Sequence, residues 1–403
     1  MDAIKASRFR GINNRLPPDR LNPLGDREAG VFVPDASNVD LTDAGSFQSR
    51  PGYERIGAWE DCRGLFGAGD HAYFASGTDL CYLDQDGNAQ TIGSVPSAFS
   101  PLAFAHTSLG VVMSDGQALR LLRDRAVTAV VPPAPNPVPS VAVISGGLAA
   151  GRYGIMFTSS DARGVRSAFT FPLDLPVPEG GGLSIINTTP LTLDVFVTAP
   201  DGAVFYAQDQ IQPGAMSLLT VRTDTEPIVY QALYNLPPGE VLGYHKGRLL
   251  SAVGALVHYS LPYSLGLYHP ARDYIALAEP VAILASVDEG LWIATTKTTY
   301  FLPGGDLRGE LQQKAPFGAV RGTLSRLPNS QDLMWFSERG PVRVSGGAMT
   351  LLQDENIAFS PAESGASVVR EQNGLRTFIS ALSGAAPAGG AVAGSFMDAE
   401  VIK

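Results

Sequence analysis

The sequence predicts an all-β protein: a β-propeller of about six blades, with a β-sandwich inserted into it and an extended arm before it. Three observations predict this. Glycine and proline number 44 and 30 in 403 residues, and without the three-residue period of collagen they must punctuate many short elements. No window places apolar residues at helical spacing between caps, so no helix longer than a few turns is expected. Past residue 55, short apolar runs separated by Gly, Asp or Asn recur in units of about 35 to 40 residues, the period of propeller blades.

Taken in order, residues 1–54 read as an arm and a hairpin. Phe9-Arg10-Gly11-Ile12-Asn13-Asn14-Arg15-Leu16-Pro17-Pro18 has no helical period, and its prolines hold the chain extended. Ala36-Ser37-Asn38-Val39-Asp40-Leu41-Thr42, the turn text Asp43-Ala44-Gly45-Ser46 and Phe47-Gln48-Ser49-Arg50-Pro51-Gly52-Tyr53 predict strand, reversal and strand. Residues 55–137 hold two blade units, the first with strands at 63–68, 71–75, 80–83 and 89–92, the second at 102–106, 110–113, 118–122 and 127–131. Pro132-Pro133-Ala134-Pro135-Asn136-Pro137-Val138-Pro139 then breaks the rhythm as a stiff linker. Over 138–236 the texture changes: Tyr153, Ile155 and Phe157 alternate on one face, and Leu191, Leu193, Val195 and Val197 do so later. This stretch looks like a fibronectin type III or immunoglobulin-like sandwich. Residues 237–403 resume the blade rhythm for four further units. Their last strand, near Glu400-Val401-Ile402, is expected to close the ring by joining a strand from the first sixty residues.

Composition bounds the function. With 45% hydrophobic and 17% charged residues the chain is globular. Its formal charge of -10 lacks the positive field of a protein that grips nucleic acid. No run of about twenty apolar residues occurs and the N-terminus lacks a basic and apolar leader, so neither a span nor a signal peptide is expected, and synthesis is expected in the cytoplasm. Cys62 and Cys81 define no disulfide framework and lack zinc-site spacing; both read as small core thiols.

Catalytic signatures are missing. The chain has no Gly-x-Ser-x-Gly elbow, no His-Glu-x-x-His, no phosphate loop and no dinucleotide glycine pattern. His71, His106, His245, His258 and His269 are scattered; His258 and His269 sit beside Tyr259, Tyr263 and Tyr268 in what reads as aromatic packing. Asp84-Gln85-Asp86-Gly87-Asn88 opens like a calcium loop but lacks the closing Glu, so it reads as a hairpin turn. A sialidase-like propeller would repeat Ser-x-Asp-x-Gly-x-x-Trp, which Ser114-Asp115-Gly116 does not continue. Asn187-Thr188-Thr189 fits a glycosylation sequon by chance. No catalytic residue, cofactor or metal is expected. Trp59, Trp292, Trp335 and the tyrosines between 259 and 268 could recognise glycans, though Leu291-Trp292-Ile293 and Met334-Trp335-Phe336 read as core.

The N-terminal text resembles the start of phage tail proteins of the nozzle or tail-hub type, through Phe9, Gly11 and Asn13 and then Ala36, Asn38, Val39, Asp40, Leu41, Thr42, Asp43, Gly45, Arg50, Pro51, Gly52 and Tyr53. That resemblance implies a non-enzymatic virion protein that forms a ring, usually of six copies, beneath the portal and adaptor of a short tail. Its partners would be itself and other tail proteins, with DNA passing through the channel without specific binding and no membrane role. It also implies a docking arm, for which Phe9, Arg10, Asn13, Asn14, Arg15 and Arg20 are the candidate interaction residues. The chain is short for a nozzle, which leaves a stopper, or a tail-tip ring or distal hub of a long-tailed phage, as alternatives; the aromatics named above leave a carbohydrate-binding propeller for host recognition as another.

Overall fold

The computed structural model describes residues 8–17, 20, 21, 30–36, 39–41, 46–49, 56–352, 357–359, 361–372, 375–384 and 400–402. Among them all regular structure is β, and no helix is long and apolar enough to cross a membrane. The chain divides into two compact units: residues 61–253 with 257–275, and residues 1–60 with 254–256 and 276–403.

In the unit of residues 61–253 and 257–275, the first sheet orders Cys62–Gly67, Ala72–Ser76, Asp79–Leu83 and Ala89–Ser94, each antiparallel to the next. Its turns follow from their residues: Gly77 takes φ +56°, and the Asp84 carboxylate accepts the amides of Asp86 (3.1 Å) and Asn88 (2.8 Å). The calcium-like text is therefore a closed hairpin turn. The second sheet repeats the plan with Ala103–Thr107, Gly110–Ser114, Leu119–Arg123 and Ala126–Ala129, and a third is built from Val241–His245, Arg248–Val253, Leu256–Tyr259 and Tyr274–Ala276. Tyr73, Leu80, Val111, Met113 and Leu122 form one core between the first two sheets. Ala105, Val112, Leu121, Leu242 and Leu249 form another between the second and third. Four-stranded meanders that pack face to face in sequence order are the blades of a propeller.

Between the second and third blades stand two further sheets. One orders Ser140–Leu148, Gly181–Asn187 and Gly214–Leu218; the other orders Leu173–Val177, Gly151–Ser159, Leu193–Thr198, Val204–Ile211 and Pro227–Val229. Their facing sides share a core of Tyr153, Ile155, Phe157, Leu183, Ile185, Val195 and Val197. The five-stranded sheet buries its other face as well, with Met156, Phe196 and Phe205 under Phe169 and Ile228. One side chain ties the module's two ends together. Asn235 accepts the Ala168 amide (2.9 Å) and donates to the Pro132 carbonyl (3.1 Å), joining its exit to the proline linker at its entry.

The unit of residues 1–60, 254–256 and 276–403 carries two more four-stranded blades: Val281–Val287, Gly290–Thr295, Thr299–Pro303 and Gln312–Ala315, then Ser325–Arg326, Leu333–Ser337, Gly340–Ser345 and Ala348–Leu351. Trp292 and Trp335 are fully buried between them with ring centroids 6.1 Å apart. A last sheet of Ser364–Gln372, Leu375–Ser383 and Glu400–Ile402 follows, and Phe378 packs with Met334 and Phe336 of the preceding blade.

The terminal strand Glu400–Ile402 pairs antiparallel with Leu375–Ser383, and among the described residues no strand of the first sixty pairs with it. One expectation needs correction. Cys62 is exposed at the start of an edge strand, whereas Cys81 is buried as expected, and burial raises its thiol pKa. The hairpin pairs Val39–Leu41 with Phe47–Ser49; Asn38, residues 42–45 and residues 50–53 lie outside the described residues.

Candidate functional site

The six sequence-chosen arm residues lie on one short segment. Phe9–Ile12 pairs parallel with Val31–Val33, with a bulge between Phe9 and Gly11, where Gly11 holds φ +122° that a side chain would strain. Asn13 is 5% exposed: its amide donates to Val33 O at 2.8 Å, and its carboxamide oxygen accepts the amides of Arg15 (3.1 Å) and Leu16 (3.3 Å). Asn14 bonds Ala358 at both ends, donating to its carbonyl (3.1 Å) and accepting its amide (2.7 Å). Each asparagine thus imitates a backbone partner inside its own unit. The Arg10 guanidinium stands 4.6 Å from the Phe32 ring, and Arg8, Arg10, Arg15 and Arg20 are exposed. Gly11, Asn13 and Asn14 therefore shape and fasten the arm, and the arginines supply its outward charge.

Sequence reading missed a polar chain in the first blade. His71 Nδ1 lies 2.8 Å from the Asp70 carboxylate and Nε2 lies 3.2 Å from the Tyr73 hydroxyl, which donates to Asp124 O at 3.0 Å. The His71 ring stacks on Tyr82 at 4.9 Å, and the Arg125 guanidinium stands 5.4 Å from the Tyr82 ring. Burial, with Asp124 and Tyr82 nearby, pushes the Tyr73 phenol up to about 12. A phenol so raised keeps its proton at neutral pH and serves as a donor, not as a nucleophile. The adjacent Asp70-His71 pair was the available signal, but the partner loop at Asp124 is not local in sequence.

The remaining histidines are dispersed. His106 Nε2 contacts Gly67 O at 2.9 Å, and its ring lies 4.8 Å from Phe66. His258 meets Tyr268 edge-on at 5.3 Å, and burial lowers its pKa, favouring the neutral ring. No group of three or more His, Cys, Asp or Glu that could hold a metal occurs among the described residues. The sequon residue Asn187 is 2% exposed; it accepts from Thr189 and donates to Leu191 O at 2.8 Å, so it closes a turn and is not presented for modification.

Exposed aromatics gather elsewhere than the tryptophans. Trp292 and Trp335 are core residues and Tyr259 is buried. Phe171 is 77% exposed and meets Tyr230 at 6.1 Å; Tyr234, 55% exposed, faces Tyr268 across a two-residue strand pair. Strand text hides this group because exposure depends on which sheet faces are covered, not on local pattern.

The blades define an all-β protein of propeller type. No protein-family model and no curated protein matches the sequence. Among solved structures the chain is similar to a streptogramin B lyase (12% identity, 79% of this chain and 90% of that one, TM-score 0.33). It is also similar to the virginiamycin B lyase from Staphylococcus aureus (10% identity, 80% and 92%, TM-score 0.35) and to the N-terminal domain of Nup159 (11% identity, 79% and 72%, TM-score 0.30). At such values nothing about activity passes to this chain, for which no enzyme role is established.

Proposed function

We propose that the chain is a non-enzymatic virion protein of a phage, a subunit of a nozzle- or hub-type tail ring through which the genome leaves. The observation that carries the reading is the N-terminal text: Phe9, Gly11 and Asn13 followed by the Ala36 to Tyr53 hairpin motif. Its support is physical as well. Of the arm motif, Gly11 bends the arm and Asn13 fastens it, with Arg8, Arg10, Arg15 and Arg20 outward on a chain of net charge -10. Outward arginines on an acidic molecule suit docking to an acidic neighbour, either another copy or a portal-adaptor protein. The acidic excess, multiplied around a ring, suits a channel that releases DNA without holding it. The two-sheet module is read here as an immunoglobulin-like insert.

Electron microscopy of immunogold-labelled virions tests the reading. Label on the tail is expected, and loss of tails is expected when Arg10, Arg15 and Arg20 are changed together to Ser. Virions without label, or normal tails from that variant, overturn it. The cluster of Phe171, Tyr230 and Tyr234 favours glycan recognition as a second reading, since aromatic faces stack on sugars; a glycan array with Phe171→Ala as control separates the two.

A further inference from the structure

The polar chain of the first blade fixes where its protons lie. The Tyr73 hydroxyl has one proton, and it is donated to the Asp124 carbonyl at 3.0 Å. The phenol oxygen can then meet His71 Nε2, 3.2 Å away, only as an acceptor, so Nε2 carries a proton. On the other side of the ring, Nδ1 faces the Asp70 carboxylate at 2.8 Å. The hydrogen bond to His71 holds the Asp70 carboxyl below the ordinary carboxylate range, so at neutral pH it is ionised and can only accept. The imidazolium alone satisfies all three contacts together. A neutral ring that keeps its proton on Nδ1 for Asp70 turns Nε2 into an acceptor, which competes with the Asp124 carbonyl for the single phenol proton.

We propose that this chain of bonds is a pH-sensitive latch between the first and second blades: protonated His71 directs the Tyr73 proton to Asp124, and neutral His71 draws it away. The latch holds a strained turn. Asp124 and Arg125 join Leu119–Arg123 to Ala126–Ala129, and Asp124 sits at φ +50°, a left-handed conformation that costs a residue with a side chain. Tyr73 is 1% exposed, so the core fixes the hydroxyl that reaches this turn. Its phenol, pushed up to about 12 by burial with Asp124 and Tyr82 nearby, keeps its proton throughout the range in which an imidazole titrates. The other groups facing the ring are Asp70 on its own turn, Tyr82 of the third strand, and Asp124 and Arg125 of the turn, with Asp84 close enough for Arg125 to help lower its carboxyl. Carboxylates, phenols and guanidinium groups ordinarily titrate outside that range. The end of the first strand, Gly67-Ala68, whose Ala68 amide donates to His71 O at 2.7 Å, brings no titratable group. His106 of the second blade does titrate there, and it contacts the Gly67 carbonyl at 2.9 Å. The latch stands apart from the tail reading.

Hydrogen exchange at the Ala126 amide, in the Arg123–Ala126 pair that closes the hairpin, reads the latch. Corrected for the intrinsic rate, its protection should fall about fivefold from about pH 5 to about pH 8, the worth of one hydrogen bond. His71→Phe keeps an aromatic ring beside Tyr82 and cannot titrate, so its protection should stay high at both ends. Tyr73→Phe should give low protection at both. Nitrogen NMR of the wild-type His71 ring supplies a reading that needs no variant to fold: at the alkaline end the remaining proton should sit on Nδ1, facing Asp70. A wild-type protection indifferent to pH, a pH dependence that persists in His71→Phe and so belongs to His106 or another group, or a neutral ring protonated on Nε2 overturns the proposal.

Discussion

The blades of the C-terminal unit and the three-stranded sheet of the module are both antiparallel, yet they solve burial differently. Leu333–Ser337 is buried at all five positions and Gly290–Thr295 at all six, because those strands have neighbours on both faces. Ser140–Leu148 buries only its last residue. A strand covered on both faces takes its stability from packing, whereas one covered on a single face must draw part of its own from pairing. Substitutions should therefore cost most in the blades and little in the module's outer strand.

The largest effect is expected at Trp335, fully buried against Trp292. Trp335→Ala should cost about 3–5 kcal/mol and abolish a cooperative melt, whereas Val143→Ala should leave the melting temperature of dilute protein nearly unchanged. Equal losses from the two would break the comparison.

The ion pair inside the same blade comes next. Burial pushes the Asp332 carboxyl up, but the Arg343 fork at 3.0 and 2.6 Å, with Ser345 and Ser330, outweighs it and holds the pKa below the ordinary carboxylate range. A depressed carboxylate stabilises the fold above its unfolded pKa, near 4, and loses that stabilisation as pH falls through the folded value. Asp332→Asn should cost about 2 kcal/mol at neutral pH and flatten the acid limb of a stability profile. An unchanged acid limb would show that the pair contributes nothing. Tyr73 gives the opposite sign: its raised pKa stabilises fully below about 10, and the contribution fades as pH rises towards about 12. Ultraviolet titration of wild type against Tyr73→Phe should reveal that late phenol.

How far the sequence was legible follows from the same contrast. Leu291-Trp292-Ile293 and Met334-Trp335-Phe336 read as core, and both triplets are buried, because continuous apolar runs suit strands packed on both faces. Turn text at Asp84-Asn88 likewise states its own geometry. What could not be read depends on distant chain: the partner of Glu400–Ile402, the exposure of Cys62, the Asp124 carbonyl that receives Tyr73, and the exposure of Phe171. The arm lies between these cases. Gly11 and Asn13 announce a bend, but nothing in the sequence pairs Asn14 with a backbone 344 residues away.

The smallest effect separates hydrogen bonding from packing at the two blade tryptophans. Trp292 donates its indole N–H to Gly346 O at 2.8 Å, whereas the Trp335 nitrogen is buried without a hydrogen-bond partner among the described residues. Replacing either by Phe removes comparable ring volume, so the packing losses should nearly cancel between the variants. Trp292→Phe also strips the Gly346 carbonyl of a donor, and Trp335→Phe removes a polar group that had no acceptor. Chemical denaturation should then find Trp292→Phe less stable than Trp335→Phe by about 1 kcal/mol. Equal stabilities would mean that the Gly346 bond adds nothing beyond the packing that holds both rings, and the reverse order would mean that packing at the two sites is not equivalent.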